Sequence, residues 1–137
     1  MTAALLDTST VIALFQEQRR FTLEGFERVA LSSLTYAELR LGVAMATTAT
    51  VARQRMTAFE TAREVFGDGI PFDDGAARAF GLIAARVADR GGDPKAHRTD
   101  RMIAAVAAAH DLTLVTLDAA GLRGLDSLVR VIEPPAA

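Results

Sequence analysis

The sequence predicts an α/β fold: a mostly parallel central sheet of four or five strands, flanked by helices on both faces. Short apolar runs alternate along the chain with segments of helical period. In addition, four acidic residues, Asp7, Glu38, Asp100 and Asp118, each stand where a strand-like run gives way to a helix or where a helix begins. Parallel strands joined through helices collect their ends along one edge of the sheet, where ligands bind. Four carboxylates gathered there repel one another unless a cation joins them, so their placement predicts one shared metal site.

Ala3 to Asp7 (AALLD) is an apolar run ended by an acid and predicts the first strand, and Thr8 to Phe15 continues with helical spacing after a cluster of capping residues. Arg19 to Glu27 is charged and weakly patterned, and Val29 to Ser33 (VALSS) predicts a second buried strand. Thr35 then opens a helix, TYAELRLGVAM. Thr48 to Phe66 is a long amphipathic helix with Val51, Met56, Phe59, Ala62 and Phe66 near one face, closed by Gly67, Gly69 and Pro71. Ile70 to Phe72 predicts a very short strand, Gly75 to Arg90 a helix with Phe80, Ile83 and Val87 at helical spacing, and Gly91 to His97 a loop. Arg98 to His110 is an alanine-rich helix, and Leu112 to Thr116 and Leu128 to Ile132 are strands before a Pro-Pro tail.

With 137 residues, half of them hydrophobic and no internal repeat or linker, one domain over 1–137 is expected. There is no cysteine, so metal ligands must be oxygen or imidazole. The N-terminus lacks the pattern of a secretory signal, and no apolar run is long enough to span a bilayer, which predicts a cytoplasmic protein without membrane attachment. A net charge of −2 does not advertise nucleic-acid binding, although a carboxylate pocket can mask basic residues elsewhere.

Each acid has a plain structural explanation when taken alone. Asp7 suits the N-cap of the helix it precedes, and Thr35 with Glu38 has the spacing of a capping box. Asp100 lies in a first helical turn, where negative charge is favoured, and Asp118 can cap the short DAAGL segment. What capping leaves unexplained is that all four fall at positions a parallel fold brings to one edge, with the hydroxyls of Ser9 and Thr116 close by.

The stretches LLDTSTVIALF, SSLTYAELRLGV, TDRMIAAVAAAHDLTLVTLD and LVRVIEP resemble, in order and over nearly the whole chain, the PIN-domain ribonucleases, specifically the VapC toxins of bacterial toxin–antitoxin pairs. The resemblance implies a PIN-like three-layer sandwich. The family's acids correspond to Asp7, Glu38, Asp100 and Asp118, and its accompanying hydroxyls to Ser9 and Thr116. Many members carry a further Asp, then Phe, where this chain has Gly121 and Leu122, so the resemblance does not bring a full second-metal site with it. It does imply an endoribonuclease acting on tRNA or rRNA, a VapB-type antitoxin and a homodimer.

Hard oxygen ligands suit Mg²⁺ or Mn²⁺. On this reading Asp7, Asp100 and Asp118 are the principal ligands, and Glu38 binds a water or second ion or acts as a general base. Ser9 and Thr116 hold the carboxylates in place. RNA contact must come from cations around the acids, and the run from Arg86 to Arg101, with Arg86, Arg90, Lys95, His97, Arg98 and Arg101, forms the candidate phosphate track, with a solvated helix end and loop as the equal alternative. Arg53 and Arg55 are weaker candidates, Arg40 is expected to buffer the acids, and His110 to complement a helix C-terminus. Two other classes stay open: a phospho-acceptor signalling domain, which needs a lysine after a late strand where the sole lysine is Lys95, and a non-catalytic PIN-like binding module. A phosphatase-like hydrolase fits less well, because position 9 of its Asp-x-Asp pattern is serine.

Overall fold

Strand β1 (Thr2–Leu6) runs into helix α1 (Thr8–Phe15), and β2 (Phe26–Leu31) into α2 (Ser33–Ala44). Three further helices follow, α3 (Ala49–Phe66), α4 (Asp74–Asp89) and α5 (Arg98–Ala109), then β3 (Thr113–Val115), a 3-10 turn (Ala120–Leu122) and β4 (Val131–Ile132). This is a computed structural model that describes residues 2–137, so the first residue of the expected 1–137 domain lies outside the described residues. The strands form one sheet in the order β2-β1-β3-β4, and every neighbouring pair is parallel.

Side-chain alternation along each strand divides the core into the two faces of a three-layer sandwich. Leu5, Ala30 and Leu114 point to one face, where Ile83 and Val87 of α4 and Ile103 and Val106 of α5 cover them. Ala4, Leu6, Leu31 and Val115 point to the other, packed against Val11 of α1, Tyr36 and Leu39 of α2, and Phe59 and Ala62 of α3. β1 and β3 are buried on both faces, which is why they read as continuous apolar runs rather than alternating ones. Among the described residues no helix is long and apolar enough to cross a membrane.

Several boundaries differ from those the sequence predicts. β2 begins at Phe26, inside the charged segment, because its exposed first half lies at the outer edge of the sheet. The predicted strand at Ile70 reduces to a single bridge between Ile70 and Ser32. That at Leu128 shortens to Val131–Ile132, because the Leu128 and Val129 amides bond back to Leu125 in a turn. Helix α2 opens two residues before Thr35: the Ser32 hydroxyl accepts from the Leu34 amide at 3.0 Å, and the predicted capping box is not used.

Candidate active site at the carboxyl edge of the sheet

The register of the sheet places the site. Leu6 of β1 pairs with Val115 of β3, so the residues immediately beyond, Asp7 and Thr116, are neighbours across 109 positions of chain. The Asp7 amide donates to the Val115 carbonyl at 3.1 Å. Asp7 is only 5% exposed, and its carboxylate is held from several directions. Oδ1 accepts from the Ser9 hydroxyl at 2.8 Å, the Thr10 hydroxyl at 2.9 Å and the Thr10 amide at 3.0 Å, while Oδ2 accepts from the Thr116 hydroxyl. The Thr116 oxygen in turn accepts from the Asp118 amide at 3.0 Å, tying the loop after β3 to the end of β1.

Glu38 comes from the second turn of α2, where its Oε1 accepts from the Thr8 hydroxyl. Asp100 stands in the first turn of α5 and Asp118 in the exposed loop after β3, its carboxylate receiving the Ala120 amide at 3.2 Å. The four acids share one electrostatic environment. Burial pushes the Asp100 carboxyl above its ordinary value, and the charges of Asp7, Glu38 and Asp118 push it further, against the pull of His97. Among the described residues no three acidic or histidine side chains close on a point tightly enough to hold an ion unaided.

The basic residues divide into two pairs. Arg86 donates to the Ser127 hydroxyl at 3.0 Å, and the Arg90 guanidinium lies where a side chain at Gly124 would stand, so both brace the loop after the 3-10 turn. Lys95 and Arg98 are exposed in the turn before α5 and at its start, close in sequence to Asp100. Arg40 stacks on the Phe59 ring at 4.5 Å and Arg55 donates to the Gly42 carbonyl at 2.7 Å, so each has its own partner. Arg53 lines a groove between α1 and α3. His110 ends α5 and meets Asp73, the N-cap of α4, at 3.2 Å.

Two hydroxyls that the sequence suggested only as caps, Thr8 and Thr10, bond directly to Glu38 and Asp7. The unbroken Thr8-Ser9-Thr10 run after an acid was the available signal, since one helical start can aim all three hydroxyls at carboxylates. Arg101, the last member of the expected phosphate track, is instead buried, its guanidinium taken up by backbone carbonyls.

The PIN domain family model matches residues 4–126. Among curated proteins, Ribonuclease VapC5 of Mycobacterium tuberculosis is 36% identical over 118 residues, 85% of this chain and 83% of its own length. Ribonuclease VapC4 of the same organism is 32% identical over 84% of this chain and 85% of its own. Among solved structures, a chain of VapBC-5, a member of the VapBC family of toxin–antitoxin systems from Mycobacterium tuberculosis, is 35% identical. That match covers 97% of this chain and 99% of the other, with a TM-score of 0.78. With an α/β sandwich, acids at the carboxyl edge of its sheet and matches of this extent, the chain belongs to the PIN-domain family and, within it, to the VapC ribonucleases.

Proposed function

We propose that this protein is a divalent-metal-dependent endoribonuclease, the toxin of a toxin–antitoxin pair, whose catalytic residues are Asp7, Glu38, Asp100 and Asp118. The observation that carries the proposal is the convergence at the carboxyl edge: Asp7 after β1 is held by Ser9, Thr10 and Thr116, Glu38 of α2 is held by Thr8, and the charges of Asp7, Glu38 and Asp118 add to burial in raising the Asp100 carboxyl. Such convergence has no use as capping.

The donor set fits Mg²⁺ or Mn²⁺. It contains carboxylate and hydroxyl oxygens and no thiolate, and Mg²⁺ binds through one or two carboxylates while keeping several waters, so a tight cage of three protein ligands is not required. Asp7, Asp100 and Asp118 would hold the ion, which when bound supplies an acidified water and neutralises charge on the scissile phosphate. The chain's own residues do the rest. Ser9, Thr10 and Thr116 fix both oxygens of Asp7, so that it presents one orientation to the ion. Thr8 holds Glu38 at the same edge, where a carboxylate can accept a proton from the attacking water. Lys95 and Arg98, exposed beside Asp100, attract the RNA backbone toward a centre that would otherwise repel it.

The partner is a VapB-type antitoxin, as in the toxin–antitoxin structure this chain resembles. Leu41 and Met45, 58% and 66% exposed, continue away from Glu38 along one stripe of α2, offering apolar surface beside a charged pocket. The toxin itself pairs as a homodimer. The test is RNA cleavage by the purified protein with Mg²⁺ or Mn²⁺, abolished by chelator and restored by the metal. Cleavage that survives thorough chelation and dialysis overturns the proposal.

A further inference from the structure

Arg101 is 7% exposed, yet among the described residues it forms no ion pair with a carboxylate. Its guanidinium serves three backbone carbonyls: Nε donates to Gly121 at 2.8 Å, and Nη1 to Asp93 at 2.9 Å and to Ala96 at 2.6 Å. A rigid fork of donors can span acceptors on separate segments, which a lysine ammonium cannot do in the same way. Here it joins the turn before α5 to the 3-10 turn that follows Asp118.

His97 lies between these two segments. It is the N-cap of α5, with φ 51° and ψ 39° and no capping hydrogen bond from its side chain. Left-handed backbone is unfavourable for a residue that carries a Cβ, so the surroundings must impose it. Gly121 supplies the complementary half. A Cβ on Gly121 would stand 2.5 Å from His97 Cγ and 2.6 Å from His97 Cβ. The Gly121 backbone is not left-handed, so it is the imidazole, and not the local turn, that requires glycine there. The ring stays 44% exposed, with Nδ1 4.0 Å from Asp100 Oδ2.

We propose that His97 is a substrate-binding residue of this site, donating a ring N–H to an RNA phosphate, and that Arg101 and the missing side chain of Gly121 position its imidazole. The inference rests on the nuclease assignment above. An RNA phosphodiester approaching four carboxylates gains from a hydrogen-bond donor at their rim. An imidazole seated on a glycine, with its helix start clamped by a buried arginine, presents such a donor in a fixed place.

The experiment uses the full chain and the variants His97→Ala, Gly121→Ala, their double mutant and Arg101→Lys. It measures steady-state cleavage of a random-sequence RNA pool with Mn²⁺, binding of a nuclease-resistant 2′-O-methyl RNA pool without metal, and unfolding temperature. We expect His97→Ala to raise KM and weaken metal-free binding by about tenfold, the worth of one charge-assisted hydrogen bond, with most of the loss in KM rather than kcat. Gly121→Ala should reproduce this by displacing the ring, and should add nothing once His97 is alanine. Arg101→Lys should shift KM in the same direction wherever it folds. Unchanged KM and binding in His97→Ala, or losses that merely follow unfolding temperature, overturn the inference. A wild-type protein that binds the RNA pool through His97 but cleaves nothing with Mn²⁺ overturns the nuclease assignment instead.

Discussion

Asp7 caps α1 through the Thr10 amide and is also the only one of the four acids that is buried, so its structural role stands beside the metal-binding role proposed for it. Its Oδ2 depends on Thr116 alone among the contacts described, which makes Thr116 a sharp point of failure. Thr116→Val keeps the shape and removes the hydroxyl. Metal-dependent cleavage should fall about 10–100-fold, the usual effect of losing the partner of a metal-binding group, with the fold retained by circular dichroism. Asp100 carries the pH dependence. Its folded-state value is raised, so the stability it contributes is present below its ordinary value of 3.8 and is lost as pH rises through the folded value. Asp100→Asn should therefore unfold at a higher temperature than wild type at pH 7 in EDTA, should lose this advantage on acidification, and should be inactive. A variant less stable than wild type at pH 7 would mean that Asp100 is structural.

Among the elements, the start of α2 separates what sequence can show from what it cannot. Thr35 and Glu38 have capping-box spacing, yet Ser32 makes the cap, Thr35 is buried, and Glu38 is bonded by Thr8 from another helix. Ser32→Ala should cost about 1 kcal/mol in urea unfolding and leave cleavage near wild type at permissive temperature, whereas Glu38→Gln should do the reverse. The helices and the buried strands β1 and β3 were legible because apolar periodicity is local. The acids were legible as a set because strand ends and helix starts are local too, and parallel topology carries them to one edge. The bounds of the edge strands were not, since β4 keeps only the two residues that pair with β3 and β2 starts three residues before its apolar run. Arg101 and His97 were legible as members of a basic run but not in their packing, since Arg101 clamps the Gly121 carbonyl as well as those of Asp93 and Ala96, and the His97 ring lies against Gly121.

For the whole molecule, the sheet's centre is its most sensitive point. Leu114 is fully buried in the three-residue β3 that delivers Thr116 and Asp118. Leu114→Ala should cost about 2–5 kcal/mol, a large part of the roughly 5–15 kcal/mol that holds such a domain together. Loss of cleavage should then follow loss of fold, read as matching midpoints in urea, unlike the amide variants of the acids. In a bacterial host, production of the intact chain alone should arrest growth and Asp7→Asn should not. Arrest by an Asp7→Asn protein would show that toxicity does not pass through this site.

The order β2-β1-β3-β4 also governs when during synthesis the enzyme comes into being. β1 leaves the ribosome first and can pair with β2, but the partner that presents Thr116 to Asp7 is encoded 109 positions later. At about 5–20 residues per second that interval lasts roughly 5–20 s, throughout which the nascent chain holds Asp7 without its companion loop. If Asp7 is a ligand of the proposed metal centre, that centre cannot form for most of the chain's own manufacture, and a VapB-type antitoxin would have that interval in which to reach the emerging helices.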